Sequence, residues 1–176
     1  MSQRFIHALA VISRKAKKKR IRWVIVGSAS VALQGVDVRP HDIDILTTKH
    51  GAYAMNAVLR LYEVKAVRFG RSSTFESYFG EFRIRGVKVQ VMGDLRVKIR
   101  HRWVSLTPRL RRPRIVRVQR LNLPVTPLRS QLVTYKALAR RKSRARIRRI
   151  ERFVAPPRTV NSVRPGLNAF HTRNSL

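Results

Sequence analysis

The chain has 176 residues, no cysteine, and 40 Lys+Arg against 8 Asp+Glu, a formal charge of +32 at pH 7. Its length suits one ordinary core with extensions; the lack of Cys excludes a disulfide framework and any thiolate metal site; and no apolar run approaches the ~20 residues that cross a bilayer. So large a cationic excess repels itself unless counter-charge is supplied, and three Arg for every Lys, with guanidinium forks that grip phosphate bidentately, point to a phosphate-rich partner.

Phe5, Ala8, Leu9, Val11 and Ile12 recur at helical spacing, which predicts a helix over residues 2 to 19 with one buried stripe and a basic end. Its apolar segment precedes its charges, the reverse of a secretory signal; being acid-free with Arg and Ser, it leaves an organellar transit peptide as an alternative. "IRWVIVG", residues 21–27, is a short apolar run ended by glycine, as expected of a strand buried on both faces. Ser28 is placed to cap the short helix "ASVALQG", and Pro40 stops any helix before "DIDIL" resumes as a strand. Residues 51–62 again have helical periodicity. "EFRIRGVKVQVMGDLRVKIR" alternates on either side of Gly86 and reads as a hairpin with positive charge on one face. The order up to Arg100 predicts an α/β (α+β) fold, a mixed sheet flanked by helices.

After Asp94 only Glu151 is acidic. "RLRRPRIVRVQRLNLPVTP" reads as an extended basic segment in which Pro113, Pro124 and Pro127 limit regular structure. Pro127 is placed to start a helix whose apolar face is Leu128, Leu132, Tyr135 and Leu138. "SRARIRRIERF" continues helically, with Ile147, Ile150 and Phe153 inward. The polar, proline-marked end has little to build a core with.

Alternate side chains of a strand share a face, so Asp42 and Asp44 point the same way, close enough to ligate neighbouring Mg²⁺ ions through hard oxygens. Gly27 and Ser28, at a strand-to-helix turn, are placed to present backbone N–H groups to a phosphate. Phosphoryl or nucleotidyl transfer needs this combination. The sequence here resembles the nucleotidyltransferase superfamily of the minimal, toxin-associated type, where a Gly-Ser turn, a helix and a following Asp-x-Asp strand bind NTP and metal. "RIRGVKVQVMGDL" is similar to that family's strand with a third carboxylate, "LPVTPLRSQLVTYKALARRK" to its C-terminal helix, and "RRKSRARI" lies where it has two further acids. The resemblance covers Ile21 to Ile150. It implies three parts: a basic N-terminal helix, 1–20; a nucleotidyltransferase-like domain with its C-terminal helices, 21–153; and an extended basic tail, 154–176.

The chain departs from that pattern at three positions. Gln90 stands where the third carboxylate belongs, Asp94 being the nearest other acid, past Gly93 in a bend; Ser143 and Arg146 take the acidic helical positions. These departures imply a degenerate site in which Asp42, Asp44 and Gln90 are vestigial catalytic groups and Gly27 and Ser28 vestigial nucleotide contacts. Mg²⁺ is then possible on Asp42 and Asp44 but no cofactor is required. A bland use of the pair is also open: Asp42 capping local backbone, Asp44 paired with a hairpin arginine.

Aromatics interleave with cations at Trp23, Trp103, Phe153, Phe170 and His171, which suits unstacked RNA bases; core packing is the competing use for Trp23 and Phe153. A globular body with basic, proline-containing extensions resembles many ribosomal proteins. The resulting expectation is a structural RNA-binding protein, cytoplasmic and ribosome-associated, of thermophilic or archaeal character. It would touch rRNA and neighbouring ribosomal proteins, with no membrane and no obligate homo-oligomer. Phosphate contacts would come from Lys15, Lys17, Lys18, Lys19, Arg20 and Arg22; from Arg100, Arg102, Arg109, Arg111, Arg112 and Arg114; from Arg140, Arg141, Lys142, Arg144, Arg146, Arg148 and Arg149; and from Arg158, Arg164 and Arg173. The alternative is an active Mg²⁺-dependent nucleotidyltransferase acting on RNA or another phosphate acceptor, and a third reading is a DNA-compacting protein.

Overall fold

The first helix, α1 (Gln3–Lys18), buries the expected stripe, Phe5, Ala8, Leu9, Val11, Ile12 and Ala16, and ends on Lys15, Lys17 and Lys18, where cations oppose the helix dipole favourably. These and all other positions come from a computed structural model, which describes residues 1–138 and 143–155. Strand β1 (Trp23–Val26) leads directly into helix α2 (Gly27–Leu33), followed by β2 (Asp42–Thr47) and α3 (Lys49–Val58). Thr48 caps α3, its hydroxyl accepting from Gly51 N–H at 3.0 Å. Ser28, expected as the cap of α2, is instead buried within its first turn; Val26 holds the cap position and no side chain caps the helix.

Four strands follow: β3 (Glu63–Arg71), β4 (Phe75–Ile84), β5 (Val87–Ile99) and β6 (Arg102–Ser105). The expected hairpin about Gly86 is present as β4–β5, with Ile84 opposite Val87. Its two-residue turn has positive φ at both Arg85 and Gly86, the backbone that fits the twist of the flanking strands. Two expectations are corrected here. Strand β3 was not anticipated, because as an edge strand it buries only Val67 and shows no alternation to read. Asp94 lies in no terminal bend: it takes φ +47 inside β5, opposite a register shift between Glu76 and Tyr78, and the strand continues five residues further.

A 3₁₀ turn (Thr107–Arg111) precedes β7 (Arg114–Val118), β8 (Leu121–Val125), α4 (Leu128–Leu138) and α5 (Arg144–Val154). The segment read as irregular and basic is therefore a second hairpin, and β8 enters the sheet beside β1. Pro113 precedes β7, and Pro124 interrupts no long ladder, since β8 meets β1 only at its end, with Ile25 opposite Val125. The sheet order is β3-β4-β5-β2-β1-β8-β7, with β6 on the far part of β5; β2 is antiparallel to β1 and parallel to β5.

Three apolar clusters hold the layers. On one face of the sheet Ile25, Ile43, Ile45, Val89 and Val91 pack with α1 and α3. On the other, Val24, Leu46, Leu95, Val97, Leu106 and Leu110 form a smaller cluster under the 3₁₀ turn. Val31, Val36, Leu128, Tyr135 and Ile150 join α2 to α4 and α5. Because Ile43 and Ile45 point into the α1 side, strand alternation sends Asp42 and Asp44 to the opposite face. Phe153, read as inward, is 52% exposed. Arg140, Arg141, Lys142, Arg158, Arg164, Arg173, Phe170 and His171 lie outside the described residues.

Candidate active site

Asp42 and Asp44 open into a cavity of ≈ 380 Å³ between the sheet and α4, walled also by Gly27, Gln90, Arg109, Gln131 and Tyr135. The register fixes the constellation: Val26 lies opposite Asp44 on β1, while Asp42 and Asp44 lie beside Lys88 and Gln90 on β5. Gly27 is dictated by two constraints. Its φ is +69, and a Cβ there would overlap Asp44 Oδ2 and touch Asp44 Cγ at 3.4 Å. Only glycine brings the turn this close to the carboxylate at no steric cost.

Gln90 occupies the third position of the sequence resemblance. In the amide orientation assigned because it satisfies both neighbours, it donates to Asp44 Oδ1 at 3.2 Å and accepts from Lys88 Nζ at 3.2 Å. Lys88 also pairs with Glu81 across the hairpin, at 3.2 Å. The amide thus orients one aspartate without adding charge. Gly27 N–H donates to Gln131 Oε1 at 3.2 Å, so a side chain from the far end of the sequence completes the turn. Ser28, the other expected nucleotide contact, is buried next to it.

Tyr135 is one helical turn from Gln131 on α4 and buried against the same cavity. Arg146 Nη1 donates to its hydroxyl at 3.1 Å, and the guanidinium lies 5.3 Å from the ring centre. Burial pushes the phenol above its ordinary pKa; Arg146 opposes that, and the negative charges of Asp44 and Asp42 add to it. Arg109, from the 3₁₀ turn, brings a cation to the rim, and burial lowers its pKa. Among the described residues no three acids or histidines converge on a metal position. Two carboxylates suffice for Mg²⁺, which is held by one or two of them together with substrate phosphates.

The basic residues expected to contact phosphate do not share one face. Lys15, Lys17, Lys18, Lys19, Arg20 and Arg22 are on or just after α1, behind the sheet from the aspartates; Arg100 and Arg102 flank the β5–β6 turn; Arg111, Arg112 and Arg114 lead into β7. Of those on α5, Arg144 and Arg148 are exposed, Arg146 holds Tyr135, and Arg149 pairs with Asp37 at 3.5 Å. Of these, among the described residues, Arg109 alone lines the aspartate cavity. Sequence reasoning missed Gln131, Lys88 and the cavity role of Arg109, and placed Tyr135 in an apolar face. The i, i+4 spacing of Gln131 and Tyr135 was the available signal.

A sequence model of the aminoglycoside-2''-adenylyltransferase family matches residues 8–150. No curated protein matches the chain. Among solved structures, a Thermotoga maritima protein assigned as a nucleotidyltransferase is 34% identical, with 82% of this chain and 90% of that one covered at a TM-score of 0.73. The antibiotic-resistance factor ANT(2'')-Ia shares the fold at 11% identity, coverage of 88% and 86%, and TM-score 0.57. The lincosamide antibiotic adenylyltransferase LnuA, bound to lincomycin, does so at 9% identity, coverage of 86% and 96%, and TM-score 0.54. These findings overturn the ribosomal reading, with its rRNA and ribosomal-protein partners and its place in translation. That reading rested on net charge, on aromatics among the cations, on basic extensions and on the missing acids; of these, net charge is a property of the surface that carries no information about fold. A family match that runs from α1 through both aspartates to α5 shows that the chain belongs to the aminoglycoside-2''-adenylyltransferase family, within the nucleotidyltransferase superfamily.

Proposed function

We propose that the protein is an Mg²⁺-dependent nucleotidyltransferase that moves the nucleotidyl group of an NTP to an acceptor hydroxyl. The observation that carries this reading is the aspartate pair: both carboxylates open into one cavity, with Gly27 held against Asp44. Hard oxygens on one strand face fit Mg²⁺, which when bound polarises the phosphates and neutralises their charge. In the transfer the acceptor oxygen bonds the α-phosphorus, the bond to the pyrophosphate oxygen breaks, pyrophosphate leaves with that electron pair, and the hydroxyl proton is released to solvent.

The chain's own residues supply position and charge. Gln90 steers Asp44, Gln131 fixes the Gly27 turn, and Arg109 offers a partly desolvated cation to the polyphosphate. With an amide in place of a third carboxylate, the site holds Mg²⁺ more weakly than a three-acid site would, and activates the hydroxyl less. The reading is therefore of a slowed enzyme rather than a relic. Its test is Mg²⁺-dependent incorporation of label from α-labelled NTPs into small-molecule and macromolecular fractions of a cell extract. Wild type should label one fraction, and Asp42→Asn and Asp44→Asn should each lose at least about 10²-fold. Equal labelling by all three proteins would sink the proposal.

A further inference from the structure

Resting on that reading, we infer that the acceptor is an anionic compound carrying phosphate, not a polycation of the aminoglycoside kind, and that it docks in the cavity next to the aspartates. A polycationic acceptor needs carboxylates to receive its ammonium groups. The chain has eight acids, and of these only Asp42 and Asp44 line the aspartate cavity. Glu76 is 4% exposed and held by Arg71 and Arg96 at 2.6 and 2.7 Å; Glu81 pairs with Lys88, Glu151 with Lys136 and Asp37 with Arg149. Glu63, which accepts from Asn56, and Asp94, which accepts from Thr107, line neither this cavity nor the one beside it. Asp42 and Asp44 themselves are the metal-holding pair of the proposed reaction.

A second cavity, ≈ 410 Å³, adjoins the first and shares Phe75, Ser77 and Phe79 with it. No acid lines it. Lys65 and Arg68 do, from edge strand β3, where Lys65 lies opposite Glu81 and Arg68 opposite Phe79 on the sheet face that carries the aspartates. Neither cation is ion-paired among the described residues; Lys65 Nζ sits 5.7 Å from the Phe79 ring centre. Two cations with no ion-pair partner among the described residues, beside Phe75 and Phe79, select a phosphate-bearing ligand of small size and repel a polyamine.

The test uses the full chain and titrates ribose 5-phosphate, ribose and tobramycin, each with Mg²⁺ plus a non-hydrolysable ATP analogue and again without nucleotide. Ribose 5-phosphate should bind at least tenfold more tightly than ribose, and tobramycin more weakly than either. The double substitution Lys65→Glu with Arg68→Glu should abolish the phosphate preference while leaving affinity for the ATP analogue within twofold. Equal binding of the two sugars, tighter binding of tobramycin, or a preference that survives the double substitution would each overturn the inference. Loss of ATP-analogue binding by wild type would instead strike the nucleotidyltransferase reading, because the phosphate preference is also measured without nucleotide.

Discussion

Replacing Gly27 with alanine separates a backbone effect from a site effect. The new Cβ meets Asp44 Oδ2 inside van der Waals contact, so the carboxylate has to retreat by roughly 1 Å, and misplacement on that scale costs about 10²-fold in rate. The positive φ adds about 1–2 kcal/mol of instability, because an L side chain crowds the carbonyl there. Gly86 supplies the control. Its φ is +81, but a Cβ there meets nothing within 4 Å, so Gly86→Ala pays the backbone term alone. Urea denaturation and the Mg²⁺-dependent transfer assay on both variants should therefore show a loss of stability in each, larger for Gly27→Ala, and a loss of activity confined to Gly27→Ala. If Gly27→Ala keeps wild-type transfer, or if both variants lose activity alike, the close approach of the turn to Asp44 has no catalytic meaning.

Gln90→Glu is nearly isosteric and puts a carboxylate at the 3.2 Å contact with Asp44 Oδ1. Repulsion should lower metal-free stability by about 1 kcal/mol, or about 2–4 °C in Tm, and Mg²⁺ should raise Tm by more than it does in wild type; an unchanged Mg²⁺ response would refute this. Tyr135→Phe removes the acceptor of the Arg146 bond and should cost about 1 kcal/mol. The folded-state pKa of Tyr135 is raised, so its contribution is fully present below the unfolded value of about 10 and is lost as pH rises through the folded one. Stability against pH measured in the alkaline range should fall less steeply for the Phe variant. Glu76→Gln removes a buried charge that binds Arg71 and Arg96; both arginines can rehydrate, so the loss should be about 2 kcal/mol by urea denaturation, with a near-normal transfer rate.

Periodicity made α1, α3, α4 and α5 legible, and glycine and proline punctuation placed β1, β2 and the β4–β5 hairpin. Strand β3 escaped because an edge strand with two wet faces has no alternation to detect. The β7–β8 hairpin escaped because its arginines suggested solvated coil, although Ile115, Val116 and Val118 against Leu121, Leu123 and Val125 form a strand pair. At the site, Asp42, Asp44, Gly27 and Gln90 were readable since their spacing is local to two strands. Gln131, Tyr135 and Arg109 were not, because tertiary packing brings them in from far along the chain: Gly27 and Gln131 are 104 positions apart. Charge misled most. Arginine count was read as a statement about partner, whereas several of the cations serve inside the molecule, at Glu76, Tyr135 and Asp37.

The entry of β8 beside β1 has a kinetic side. Strands β2, β4 and β5 can pair as soon as residue 99 is available, but β1 keeps one raw edge until Val125 arrives to lie against Ile25. Such long-range closure is slow, and an open apolar edge recruits other chains meanwhile. A nascent or truncated chain ending before Leu121 would carry both aspartates and still lack a finished cleft, with β1 free to pair with its copies. Refolding at rising protein concentration should therefore lose yield at this step, and the proposed transfer activity should return only with the last, slowest phase of folding.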